Sequence, residues 1–513
     1  MPGSCKSIPV VSQKSGIATE SSQPLRTFFT IGGYNTTKME KLYAPLEFCE
    51  GKTCLIPRKM FKKYKAFAAV LAAFCLPGFA GCTASETAKS LVPLAQRVAT
   101  AQQADETPET ARMAVSQETA GGGQTTVLSA DATIRDTTYL SDTNSENALR
   151  VQAALVTLQR VKVSKTGDVA AAENEALAQN AALLATEGAQ VTVRQATVTS
   201  ASPASAGVYS EGAGTVVELI DSVITTTDNN AKGILATGSG AVEADQLTVT
   251  TAGNDSAVLY VSDGGLLDVN GGAYTSGGYG APVLYAGADV DIRNAELTAN
   301  NSEALVLDGE QSVTLENCEI SGNRNESFLS YEGEIPRTML IYRPTAGATE
   351  QAAKLALLGG SLSGNSGDLF YITNTRCELL LHNVTIENSG DGALLRVAGS
   401  DAEAGWGTPG QNGAQATVIA EAQQLTGDIV VDTQSQLALR LTEGSTLTGS
   451  VQILQSAEES AAEETEETAV VTIEKGSRWE LTADCVISAL YNEGEIDYNG
   501  YTITLADGTV LSA

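Results

Sequence analysis

Residues 191–200 read VTVRQATVTS, residues 216–227 VVELIDSVITTT and residues 241–252 AVEADQLTVTTA. In each, apolar and polar residues alternate, a Gln or Asp interrupts, and a second alternating run rich in Thr or Ser follows. The same order returns in LLDVNGGAYTSGG from Leu266, DVDIRNAELTAN from Asp289 and SVTLENCEISGN from Ser312. The apolar centres of the second runs are Val198, Ile224, Val249, Tyr274, Leu297 and Ile320, spaced by 26, 25, 25, 23 and 23 residues. A period of two marks a strand, and its return every two dozen residues marks a repeat architecture.

A third short run stands between the pairs: GVYSEG, GILATG, AVLYVS, PVLYAG and ALVLDG. Three short strands per two dozen residues predict one coil of a parallel β-helix, an all-β solenoid. Alternation turns one set of side chains inward, each stacked on its equivalent in the next coil. The small kinks fall at Asn, Gly, Asp or Gln, residues that suit turns. Asn229, Asn254, Asn300, Asn323, Asn365 and Asn388 recur at one corner. They are expected to form an asparagine turn ladder rather than a metal site.

The register extends both ways. ALVTLQRVKVSKTGD fits upstream, KLALLGGSLSGN and ELLLHNVTIENS downstream, and further coils run to the C terminus. Loop insertions are expected near 324–352, 401–414 and 456–468. The solenoid spans 126–513 and holds 12–13 coils, roughly 60 Å of stacked sheet at ~4.8 Å per coil. Aromatics make up only 5% of the chain, and Gly numbers 49. This composition suits a thin aliphatic interior better than a globular enzyme core.

The first part of the chain differs. Of 31 Lys+Arg and 61 Asp+Glu in total, residues 1–65 carry 11 and 4 and residues 66–82 none. Residues 83–513 therefore hold 20 basic and 57 acidic groups, near −37. Such a field repels phosphate backbones and makes nucleic acid a poor partner. Lys62, Lys63 and Lys65 precede an uncharged, mostly apolar run from Ala66 to Ala80. That order reads as a secretory signal over 60–81, too short for a membrane span of ~20 apolar residues. Its end, FAGC, Phe79 to Cys82, resembles the bacterial lipobox. The resemblance implies cleavage before Cys82 and a lipid on its thiol, which would hold the chain at a membrane. Phe79 stands where that motif prefers Leu. Residues 82–125 are polar and close on three glycines, as a flexible tether would. Residues 1–59 are basic and show no repeat. They read as a disordered upstream extension, with translation starting at Met60. A long n-region or a small separate domain is the alternative.

Beyond Cys82, only Cys318, Cys377 and Cys485 remain, far apart in sequence. They read as small buried apolar residues, not a disulfide framework.

Longer stretches carry a second resemblance: NALRVQ, TLQRVKVSKTGD, DLFYITNT, GWGTPGQNG, GDIVVDTQSQLALRLTEGSTLTG, GSRWELTADCVI and NGYTITL. From roughly Thr126 onward, the chain resembles the right-handed, pectin-lyase-like, adhesin-like surface proteins of gut anaerobic bacteria. The resemblance implies a single right-handed parallel β-helix behind a signal peptide and tether.

Related scaffolds host pectic-sugar hydrolases and lyases. The hydrolases use paired aspartates and a glycine-flanked histidine. This chain has no Asp-Asp pair, and its one histidine, His382, sits in LLHNV. His382 is expected to be a structural strand residue. Lyases need an acidic cluster with a facing base. Asp289, Asp291 and Arg293 lie on one alternating strand and are expected to be a solvated face, with nothing comparable on adjacent coils. The expectation is therefore no catalysis, no metal and no cofactor.

Binding is the other class. Tyr260, Tyr285, Tyr342 and Tyr371 end similar strands, VLY, VLY, LIY and LFY. On an outer face they would form a strip for sugar rings, and facing inward they would be a core stack. The inward stack is the favoured expectation. Trp406, in a Gly-rich loop, is expected to be an exposed contact, and Trp479 to plug the C-terminal end of the core. The whole reads as a lipid-anchored, extracytoplasmic surface protein for adhesion or recognition of a host or carbohydrate surface. A carbohydrate-binding or degenerate lyase-like protein and a structural spacer are the alternatives.

Overall fold

The computed structural model describes residues 125–168, 180–324, 334–345, 351–456 and 467–513. The expected signal, Cys82 and most of the tether lie outside the described residues.

From Thr126 onward the described elements are short strands, nearly all paired in parallel. The two alternating runs of each repeat become the two limbs of a 22-stranded kinked sheet. In Ala241–Thr251 and Leu266–Ser276 a single strand crosses the kink. The third runs form a 13-stranded return sheet. One limb of the kinked sheet continues past this sheet, from Ala132–Arg135 to Ala489–Asn492 over 14 described coils, slightly more than the 12–13 expected from the sequence.

A left-handed residue, or a pair of glycines as at Gly271–Gly272 and Gly359–Gly360, makes the kink. Gln195, Asp221, Gln246, Gly271, Asn294 and Asn317 have φ between 47° and 71°. A Cβ disfavours this region, least for Asn and Asp and not at all for Gly. The interruption at a fixed place in every repeat therefore sets the cross-section of the solenoid.

Alternation then builds the core. Val198, Ile224, Val249, Tyr274 and Leu297 stack coil upon coil in register. On the return sheet Val208, Ile234, Leu259, Leu284, Leu305, Met339 and Phe370 do the same. All are buried. Each such side chain contributes about 1.5–3 kcal/mol of burial, so the core is strong without large rings. Inside the next corner, Thr226 Oγ1 donates to Ala231 O at 2.8 Å and Thr251 Oγ1 to Ser256 O at 2.6 Å. These hydroxyls satisfy carbonyls that the turn leaves without ladder partners.

The asparagines at this corner split into two positions. Asn229 Oδ1 accepts from Asn254 N at 2.9 Å, while Asn323 Nδ2 donates to Asn300 O at 3.1 Å. Cys318, Cys377 and Cys485 are free and buried, as expected. The span 324–352 is not wholly a loop, since the return strand Arg337–Tyr342 lies inside it. Trp479 is fully buried, but one coil in from the end. Its strand pairs with both Thr446–Thr448 and Glu495–Asp497, and its Nε1 donates to Gly449 O at 3.0 Å. The terminal coil is closed by the antiparallel pair Ile503–Leu505 and Val510–Leu511.

Candidate functional site

Two outer faces collect chemistry-bearing residues. On the first limb of the kinked sheet, Glu218, Glu243, Asp268 and Asp291 are register partners on four successive coils. The expectation that Asp291 has no counterpart on adjacent coils is therefore corrected. The four acids stand 25, 25 and 23 residues apart, the spacing of Ile224, Val249, Tyr274 and Leu297, so the repeat itself lines them up, a signal the sequence reading missed. The column is braced by Arg293–Asp268 at 2.6 Å, Arg194–Glu218 at 3.6 Å and Thr192 Oγ1 donating to Glu218 Oε2 at 2.9 Å. Among the described residues, no group of three or more His, Cys, Asp or Glu has metal-binding geometry.

Burial, with Asp268 adding its negative charge, pushes the Asp291 carboxyl up to about 6. Burial also raises Glu243, helped by Asp268 and Glu218. A raised folded-state value means the folded protein binds the proton more tightly than the unfolded chain. Stability is then lost as pH rises from about 4 through about 6 and stays lower above that. Asp291→Asn is therefore expected to stabilise the protein at pH 8 by about 1–2 kcal/mol, a figure discounted for solvent screening. Thermal melts across pH should show that gain shrinking towards pH 4.

His382 ends the strand Arg376–His382, and its Nδ1 lies 3.6 Å from Glu421 Oε2, too long for a hydrogen bond. That position is consistent with a structural strand residue.

The second face is the outside of the return sheet. Leu184, Tyr209, Leu235, Tyr260, Tyr285, Val306, Leu340 and Tyr371 form one outward column. The inward core stack expected for the tyrosines is corrected, because they pack in clusters apart from the main core. Tyr342 belongs to the neighbouring outward column, as the register partner of Asp308. Residues two apart in a strand share a face, so both columns point outward.

The rings use their faces on one another. Tyr260 and Tyr285 stack at 4.5 Å with 3° between planes, and Lys232 Nζ lies 5.6 Å from the Tyr260 centroid. The pair thus offers ring edges and phenol oxygens outward, not open faces for sugar stacking. Tyr371 is buried and donates to Gly399 O at 3.0 Å, which removes it as a ligand contact. Tyr209, which the sequence reading missed, is also buried, with its hydroxyl 2.7 Å from Thr237 Oγ1. Its place in GVYSEG, equivalent to Leu in GILATG, was the available signal.

Trp406 is half-buried rather than fully exposed. It lies 4.8 Å from Tyr342 at 57°, and the Arg337 guanidinium sits 5.2 Å from its centroid. Asn412 Nδ2 fixes its loop by donating to Trp406 O and Ser400 O, each at 2.8 Å. Beneath it lies a buried charge cluster. Arg337 meets Glu303 and Glu334 at 3.0 Å each, and Arg324 meets Glu303 at 3.1 Å and Glu334 at 2.6 Å.

At the centre of the strip, the Tyr285 hydroxyl donates to Asp308. Burial raises the Asp308 carboxyl above its ordinary value, against the opposing effect of that hydrogen bond. Burial also pushes Tyr342 up to about 12, with the Asp308 charge adding to it. The arrangement can donate and accept hydrogen bonds around a half-buried carboxylate edged by rings.

No curated protein matches the chain. Residues 232–404, which carry Tyr260, Tyr285, Tyr342 and Tyr371 but end before Trp406, match the family model described as "Right handed beta helix region", and the solenoid is a right-handed parallel β-helix.

Proposed function

We propose that this protein is a lipid-anchored surface protein whose β-helix body recognises a carbohydrate surface without catalysis. The observation that carries this reading is the gathering of Tyr260, Tyr285, Tyr342 and Trp406 around Asp308, outside the main core. Such a half-open group of rings and polar atoms suits a sugar better than a flat apolar partner. The anchor is Cys82, on the strength of the basic–apolar–FAGC order. The acidic body disfavours polyanionic glycans unless a divalent cation bridges them.

A glycan array probed with and without calcium tests the reading. Binding is expected, and Trp406→Ala is expected to weaken it at least tenfold, since that half-buried ring is the largest of the group and stands on an insertion loop. Absence of binding to every glycan, or full binding by Trp406→Ala, overturns it. In cells, alkyne fatty-acid labelling should mark the protein and vanish in Cys82→Ala.

The acidic column supports a second reading, a lyase-like protein acting on carbohydrate. Release of unsaturated products from polygalacturonate, abolished by Asp291→Ala, would favour it over recognition alone.

A further inference from the structure

Asp308 is a half-buried carboxylate whose only described hydrogen-bond partner is the Tyr285 phenol. Among the described residues, no Lys or Arg lies within ion-pair distance of it. Arg337 is spent on Glu303 and Glu334, and Lys232 donates to Asn230 and to Asp255 O. A carboxylate withdrawn from water without a cation is costly, and two of the buried acids here do have one. Glu303 has two arginines and Asp368 has Arg396.

There is also room beside it. Asp308 is the register partner of Tyr342, and Gly287 and Ser262 directly follow the strands Leu284–Ala286 and Leu259–Val261 on the two preceding coils. Gly287 leaves a notch one coil high between Ser262 and Asp308. A Cβ there would meet Val261 O at 3.2 Å, Ser262 Cβ at 3.3 Å and Tyr285 Cε1 at 3.5 Å, so these three close its floor and the notch is shallow. Tyr260 stacks behind Tyr285, and Tyr342 closes the far side.

We propose that this notch receives a ligand ammonium group against Asp308, and that the ligand is an amine-bearing sugar, a deacetylated hexosamine unit of a glycan. A positive charge among aromatic rings and a lone carboxylate gains from both. A hexosamine carries hydroxyls on the carbons beside its amine. These would meet Ser262 and the Tyr285 and Tyr342 phenols within one ring-sized group. A lysine side chain brings its nitrogen on an apolar stem and leaves those hydroxyls to water.

This inference rests on the carbohydrate reading above but can fail separately. The test is calorimetric titration of the full protein at pH 6, where the sugar amine is protonated. The probes are glucosamine tetramer, N-acetylglucosamine tetramer and lysine tetramer. At least tenfold preference for the glucosamine tetramer over both others is expected. The near-isosteric Asp308→Asn should abolish that preference, and Gly287→Thr should weaken glucosamine binding by filling the notch, with circular dichroism unchanged in both. Equal binding of the acetylated tetramer, preference retained in Asp308→Asn, or equal binding of the lysine tetramer overturns the inference. In those cases other glycans on the array can still bind, and the carbohydrate reading stands. Silence towards every glycan removes both.

Discussion

Arg337→Ala is expected to destabilise the protein by about 3–5 kcal/mol, the usual cost of stranding buried charge by removing its partner. Arg337, Arg324, Glu303 and Glu334 form a neutral group with side chains no more than 6% exposed. Without Arg337, the two buried carboxylates Glu303 and Glu334 each lose an arginine partner. The loss should fall on the strand Arg337–Tyr342 and on the Trp406 loop, whose indole packs over the same guanidinium. Urea unfolding gives the magnitude, and hydrogen exchange locates it. The pH dependence has a definite sign. Burial tends to raise Glu303, but Arg337 and then Arg324 outweigh it and hold the carboxyl below its ordinary value. The stability this contributes is present above the ordinary carboxylate range and is lost as pH falls through the lowered value. In the variant the stranded acids can take up protons, so its deficit should narrow below about pH 5. Adding Glu334→Gln should recover part of the loss, because the two residues are directly coupled. A deficit under 1 kcal/mol at pH 7 would contradict the enclosed cluster.

Val249→Pro is expected to cost about 3 kcal/mol or more, since proline cannot donate to the ladder and its ring crowds the neighbouring strand. Val249 is fully buried in Ala241–Thr251, flanked by Ile224 on one coil and Tyr274 on the next. A solenoid coil is stable only through its neighbours, so the damage should spread along the stack. Glu403→Pro is the control. Glu403 is exposed at the second position of the turn closed by Gly405 N donating to Ala402 O, where proline is tolerated. Equal loss of thermal stability at both positions would argue against the coil register.

The coils, their approximate number and the corner kinks were legible in the sequence because each depends on spacing within one repeat. Period two fixes which residues alternate, and the left-handed kink selects Gln195, Asp221, Gly271 and Asn294 by local backbone sterics. The outward direction of Tyr260 and Tyr285 and the partners of Asp308 were not legible. Alternation alone is symmetric between the two faces of a strand. Which face is core is decided when the return sheet closes on the kinked sheet and leaves Val208, Ile234 and Leu259 inside. Contacts between coils also join residues some 23–26 positions apart. Glu218, Glu243, Asp268 and Asp291 share the repeat's own spacing, so their alignment was present in the sequence although it was not read there. The sequence by itself determined the repeat and its turns, which are local backbone physics. The tertiary structure alone decided which face of the return strands points outward and which partners their side chains meet, because that depends on how the two sheets close on each other.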